Sequence, residues 1–76
     1  MEIKVLGTGC AKCKTLEKLT REVIEQNGID ATVNKVEDIM EIMKYNVVST
    51  PALVIDGIVK STGKVLNVDE VIALMH

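Results

Sequence analysis

The first third of the chain changes from strand spacing to helix spacing at its apolar positions. Residues 3–6 form a short apolar stretch that predicts a strand, and it runs into a flexible turn at residues 7–9. The next apolar residues recur at helical spacing: Leu16, Leu19, Val23 and Ile24. Asn27 and Gly28 then supply a helix stop. The chain therefore opens with a strand, a turn and a helix.

The middle of the chain repeats this pattern. Residues 29–36 place small and branched apolar side chains on one side and carry Lys35 near the end, which favours an edge strand. Residues 38–45 then predict a second helix, with Ile39, Met40 and Met43 on one stripe. At this spacing we expect the methionines to fill gaps in the core.

The last third predicts a hairpin and a closing helix. Asp56-Gly57 stands between two β-rich runs within residues 52–62, which is a strong signal for a two-residue hairpin turn. Asn67 lies three residues before Glu70, the spacing of a capping box. The predicted order is β-α-β-α-β-β-α, an α/β fold. Since crossovers are right-handed, we expect a four-stranded mixed sheet with helices on both faces.

Composition narrows the class of protein. A chain of 76 residues with 47% hydrophobic and 26% charged residues predicts one small domain over residues 1–76. A net charge of -2, with basic and acidic residues interspersed, argues against nucleic acid as a partner. The apolar run at the N-terminus is too short for a signal peptide or a membrane span, so we expect a cytoplasmic monomer without a membrane partner.

Two cysteines with two residues between them are the candidate chemistry. In a reducing compartment, a Cys-x-x-Cys pair is more often catalytic or metal-binding than structural. Cys10 falls at the expected start of the first helix, where backbone N–H groups and the helix dipole stabilise a thiolate. Cys13 falls one turn later and can resolve a mixed disulfide formed at Cys10. Lys12 and Lys14 either support the thiolate or are ordinary solvated residues.

Three short motifs together carry a family resemblance: Cys10-Ala11-Lys12-Cys13, Thr50-Pro51 and Asp56-Gly57. With the predicted order of elements, the chain resembles small thioredoxin-like and glutaredoxin-like redox proteins over its whole length. The resemblance implies a thioredoxin fold, an exposed attacking thiol at Cys10 and a buried resolving thiol at Cys13. It also implies a cis bond before Pro51 and a substrate-binding backbone at Thr50. The alternative for Pro51 is a plain residue at the start of a strand, where no ladder donor is needed, but the cysteines favour the cis bond.

The resemblance implies a protein-disulfide substrate and no cofactor. The double-glycine motif with which glutaredoxins hold glutathione is lacking, because the stretch after the hairpin has only Gly63. We therefore expect a donor similar to thioredoxin reductase rather than glutathione. Thioredoxins carry a buried acid six residues before the first cysteine, whereas this chain has Lys4 there, to which we assign no role.

A soft-metal domain is the alternative function. Heavy-metal-associated domains of similar length also carry Cys-x-x-Cys where a loop meets a helix, and there Cys10 and Cys13 would bind an ion such as Cu(I). Those domains continue with a hairpin, a helix and a final strand. This chain predicts a helix, a hairpin and a final helix, and so favours the redox function.

Overall fold

The computed structural model describes residues 1–9 and 11–75. The described elements, in chain order, are β1 (Glu2–Leu6), α1 (Ala11–Asn27), β2 (Thr32–Val36), α2 (Ile39–Met43), β3 (Ala52–Ile55), β4 (Ile58–Thr62) and α3 (Val68–Leu74). This is the order that the sequence predicts. Within the described residues, no helix has the length and apolar character needed to cross a membrane.

The four strands form one mixed sheet in the order β2-β1-β3-β4. β1 is parallel to β2 and antiparallel to β3, and β3 is antiparallel to β4. The short hairpin can join only antiparallel neighbours, whereas α1 carries the chain over to a parallel strand. The predicted four-stranded mixed sheet is confirmed, with β2 at one edge.

Local signals explain where the elements begin and end. Asp56 and Gly57 both have positive φ, 50° and 83°, as the two central residues of a tight hairpin turn require. Asn67 accepts a hydrogen bond from the backbone of Glu70, and the Glu70 side chain accepts one from the backbone of Asn67. The predicted capping box is confirmed. β2 starts later than predicted, because the N–H of Ile29 still bonds to α1.

The two faces of the sheet carry separate apolar clusters. Ile3 and Val5 of β1 pack with Leu16 and Val23 of α1. Leu6 points the other way and packs with the α2 side of the molecule. Helices therefore cover both faces, as expected.

The prediction for the methionines of α2 is wrong. Ile39, Met40 and Met43 are 58%, 68% and 62% exposed, whereas Ile42 is only 4% exposed. α2 has five residues, so it can turn only one narrow face to the sheet, and Ile42 occupies that face. The helix ends at Met43, and Asn46, three residues later, has a φ of 57°. An apolar stripe of this helix therefore lies in solvent.

Candidate functional site

Cys13 lies inside the first turns of α1 and is almost completely buried, with 4% of its surface exposed. Its sulfur takes part in a disulfide. Cys10, the predicted attacking thiol, lies outside the described residues. Of the Cys-x-x-Cys motif at residues 10–13, called the redox motif below, the structure thus describes residues 11–13.

Gly7 makes room for this sulfur at the end of β1. A Cβ atom on Gly7 would collide with Cys13 Sγ and would lie 2.8 Å from Cys13 Cβ. The N–H of Gly7 donates to the carbonyl oxygen of Val36, 2.9 Å away, which ties the turn to the end of β2. The sequence predicts a flexible turn here, but Gly7 is buried and hydrogen-bonded. It is needed because the sulfur lies so close.

Pro51 lies beside this turn in the sheet. The last register pair of β1 and β3 joins Leu6 to Ala52, so Gly7 and Pro51 are the next residue on each strand. Pro51 is buried, and the bond that joins it to Thr50 is cis. Since proline has no N–H to add to the ladder, it suits the position just before a strand. The structure thus brings Pro51 to the end of the sheet where Gly7 contacts Cys13.

Gly63, the residue directly after β4, is hydrogen-bonded to Pro51. Its N–H donates to the carbonyl oxygen of Pro51 over 2.9 Å. A Cβ on Gly63 would lie only 3.1 Å from the Cβ of Ser49, and its φ of 74° also favours glycine. Gly63 therefore lies against the loop that carries Thr50 and Pro51 and bonds to it.

A shallow cavity of about 270 Å³ lies between the turn before the cysteine motif and the loop before Pro51. It is lined by Thr8, Ile39, Ile42, Met43, Val47, Val48 and Thr50. Thr8 precedes the cysteine motif and Thr50 precedes the cis proline, so the cavity runs between the two. Its exposed rim is apolar, since Ile39, Met43 and Val48 are 58%, 62% and 99% exposed.

Lys4 lies on the opposite face of the sheet from Cys13. It alternates with Ile3 and Val5, which face α1, and its amine instead donates to the hydroxyl of Tyr45 at 3.2 Å. This hydrogen bond, followed by the nearby carboxylate of Glu2, raises the pKa of Lys4 above its ordinary value. The residue at the position of the thioredoxin acid therefore has a partner of its own, away from the buried sulfur.

Glu37 is a residue that the sequence did not single out. Its Oε2 atom lies 3.1 Å from the place where a Cβ on Gly9 would be, so its carboxylate reaches the residue directly before Cys10. Its Oε1 atom lies 3.4 Å from the amine of Lys35. No sequence motif signals this contact, because it depends on β2 ending beside the turn after β1.

Comparison with known proteins decides the family. A family model described as a thioredoxin domain matches residues 1–76. The chain belongs to the thioredoxin family. It is 38% identical over 71 residues to a thioredoxin of Methanothermobacter thermautotrophicus, which covers 93% of this chain and 92% of that protein. It is 36% identical over 69 residues to a thioredoxin of Methanocaldococcus jannaschii, which covers 91% of this chain and 79% of that protein.

Membership in the thioredoxin family confirms the resemblance and the fold inferred from the sequence. It also assigns the chain to a family of thiol-disulfide oxidoreductases. The observed order of elements, with a hairpin after α2 and a helix at the end, is the one that the sequence predicted and differs from the order expected of a heavy-metal-associated domain. Among residues 1–9 and 11–75, no three histidine, cysteine, aspartate or glutamate side chains are grouped so that they could hold a metal ion.

Proposed function

We propose that residues 1–76 act as one unit that reduces protein disulfides through Cys10 and Cys13. The buried state of Cys13 carries the proposal. Its sulfur is oxidised and packed against Gly7 and, in this sequence, Cys10 is the one other cysteine with which a bridge can form. Structural disulfides close longer loops, since a bridge over so few residues adds only about 2 kcal/mol in the chain-entropy model.

The reaction divides the work between the two sulfurs. The Cys10 thiolate attacks one sulfur of the substrate disulfide, forms a mixed disulfide and releases the first substrate thiolate. The Cys13 thiolate then attacks the Cys10 sulfur, so that the mixed disulfide breaks and the second substrate thiolate leaves. Two electrons have passed to the substrate, and the protein holds a Cys10–Cys13 disulfide. A reductase restores the dithiol by supplying two electrons, and two protons come from solvent.

The cavity beside the redox motif supports a protein as substrate. An extended segment lying between Thr8 and Thr50 would set its own disulfide near the motif, with backbone contacts at Thr50, whose position the buried Pro51 helps to fix. Apolar side chains of the segment would cover the exposed rim formed by Ile39, Met43 and Val48. A flat apolar rim suits a protein segment better than a small charged thiol.

The electron donor that restores the dithiol is proposed from the sequence. With a single glycine in the stretch after β4, the chain lacks the feature that glutaredoxins use for glutathione, so we propose a reductase similar to thioredoxin reductase. We further propose that the protein acts as a monomer in the cytoplasm, where a reducing environment keeps such a pair cycling.

Trapping of the mixed disulfide tests the proposal. Cys13→Ser should attack a protein disulfide such as that of insulin and remain attached to it, because no second sulfur can release it. Cys10→Ser should trap nothing. Brief treatment of the reduced wild type with iodoacetamide should modify Cys10 first, since Cys13 is buried. Mass spectrometry reads both experiments.

Three outcomes would contradict the proposal. The first is trapping by Cys10→Ser but not by Cys13→Ser, which would reverse the two roles. The second is a pair whose potential lies far outside the range of roughly -270 to -200 mV shared by thioredoxins and glutaredoxins. The third is tight one-to-one binding of Cu(I), measured by competition with a calibrated chelator, without any reduction of insulin.

A further inference from the structure

Glu37 places a negative charge at the turn that leads into the redox motif. Its Oε2 atom lies 3.1 Å from the position of a Cβ on Gly9, the residue bonded directly to Cys10. The side chain of Glu37 is half exposed, at 51%, so a substrate that reaches Cys10 meets this carboxylate in partly solvated surroundings. In such surroundings charges interact over a Debye length of about 8 to 10 Å at physiological salt.

The position of this carboxylate is held by the fold. Val36, the residue before it, accepts the hydrogen bond of Gly7, which ties the end of β2 to the turn. Lys35 pairs with the Oε1 atom at 3.4 Å and leaves the Oε2 atom on the side of Gly9. The two oxygens of the carboxylate therefore have different neighbours, the amine of Lys35 and the turn at Gly9.

The neighbouring acids are engaged elsewhere. Asp38 caps α2 and accepts the N–H of Met40 at 2.9 Å. Glu41 pairs with Lys44 at 2.9 Å. The carboxylate of Glu37, by contrast, lies against the turn at Gly9.

Residues close to Glu37 and Gly9 in the chain line the cavity between Thr8 and Thr50. Thr8, next to Gly9, and Ile39, two residues after Glu37, both line that cavity. A disulfide that enters between Thr8 and Thr50 on its way to Cys10 comes close to the carboxylate. We infer that Glu37 is a specificity-determining residue, which favours disulfides flanked by basic groups and disfavours those flanked by acidic groups.

This inference rests on the proposed function, because it assumes that Cys10 attacks substrate disulfides. Lys35, which is paired with Glu37, and Lys12 and Lys14, which are exposed on α1, act with the opposite sign. The contribution of Glu37 is therefore measured as a change between variants rather than as an absolute preference of the wild type.

Three small disulfides of different charge test the inference. Cystamine carries two ammonium groups, 3,3′-dithiodipropionate carries two carboxylates, and 2-hydroxyethyl disulfide is neutral. Reduced protein is mixed with each, and its oxidation is followed by rapid alkylation and mass spectrometry, because the chain has no tryptophan to report the reaction. For each protein, the rate with cystamine is divided by the rate with dithiodipropionate. This ratio is then divided by the same ratio for dithiothreitol, which corrects for the intrinsic reactivity of the two disulfides.

Glu37→Gln should lower this ratio by about three- to tenfold, as expected for the loss of one charge several ångströms from the probe in water. Glu37→Lys should lower it further. Both differences should disappear in about 1 M salt, where the Debye length is near 3 Å. Glu41→Gln is the matched control, since it removes an acid of α2 that is paired with Lys44, and it should leave the ratio unchanged.

The neutral disulfide distinguishes failure of the proposed function from failure of the role inferred for Glu37. If wild type and variants do not reduce 2-hydroxyethyl disulfide, the proposed function is wrong. If all of them reduce it and the charge ratio of Glu37→Gln equals that of the wild type, only the role of Glu37 is overturned. An equal fall in Glu37→Gln and Glu41→Gln would also overturn it, because the cause would then be net charge.

Discussion

At the scale of single residues, the absence of one side chain determines where the buried sulfur can lie. Gly7 is buried, and the space in which a Cβ would stand is filled by Cys13 Sγ. The sequence reveals the two glycines before the motif and suggests flexibility. It does not reveal that Gly7 is in contact with a residue of the next helix, because that contact depends on how α1 packs on β1.

Gly7→Ala should lower the free energy of unfolding by about 1 to 3 kcal/mol, the range for overpacking a tight core. In a Cys13→Ala background, in which the colliding sulfur is gone, the same substitution should cost less. Urea unfolding of the four proteins under reducing conditions measures this cycle. A cost that is equal in both backgrounds would show that the sulfur is not the cause.

At the level of helices and strands, short sequence signals predicted some features correctly and others wrongly. The capping box at the start of α3 and the two-residue turn between β3 and β4 were predictable, because each depends on a few adjacent residues. The orientation of α2 was not. The helix does carry an apolar stripe, but a helix of five residues can bury only a small part of its surface. In this fold the buried residue is Ile42.

Glu70, at the start of α3, should make the stability of the protein depend on pH. The backbone N–H of Asn67, and after it the amine of Lys64, lower the pKa of the Glu70 carboxyl below its ordinary value of 4.5. A carboxyl with a lowered pKa contributes stability that is present above its ordinary pKa and is lost as the pH falls through the lowered one. Glu70→Gln keeps an acceptor for the capping box and removes the charge.

The wild type should therefore be more stable than Glu70→Gln at neutral pH, and the gap should close as the pH falls below 4.5. Urea titrations between pH 7 and pH 2.5 measure it. Glu22→Gln, on the exposed side of α1, controls for the loss of one negative charge. A gap that stays constant down to the lowest pH would rule out the charge of Glu70 as its source.

At the scale of the whole molecule, the sheet gathers segments that are distant in sequence. The antiparallel pairing of β1 and β3 sets Gly7 beside Pro51, and the cavity between Thr8 and Thr50 follows from that pairing. α2 closes the cavity and presents its apolar side chains to solvent at the rim. The exposed stripe that looked like a misplaced core therefore borders the proposed substrate path.

Met43→Lys and Val48→Lys should each slow the reduction of insulin about tenfold, because a charged group replaces apolar surface that the substrate would cover. Their rates with 2-hydroxyethyl disulfide should not change, since that probe is too small to reach the rim. Ile58→Lys is the matched control. Ile58 is an exposed apolar residue, 59% accessible, beside the turn at the other end of β3. Equal slowing by Ile58→Lys would argue against a specific rim.

The order of the elements, the hairpin turn, the capping box and the resemblance to thioredoxins can be derived from the sequence. These depend on local periodicity, on residues a few positions apart and on the spacing of motifs. Three features depend on the three-dimensional packing: the buried face of α2, the need for glycine at position 7 and the place of the Glu37 carboxylate. Each of these results from packing between segments far apart in the chain, and no local pattern encodes the distance between two such segments.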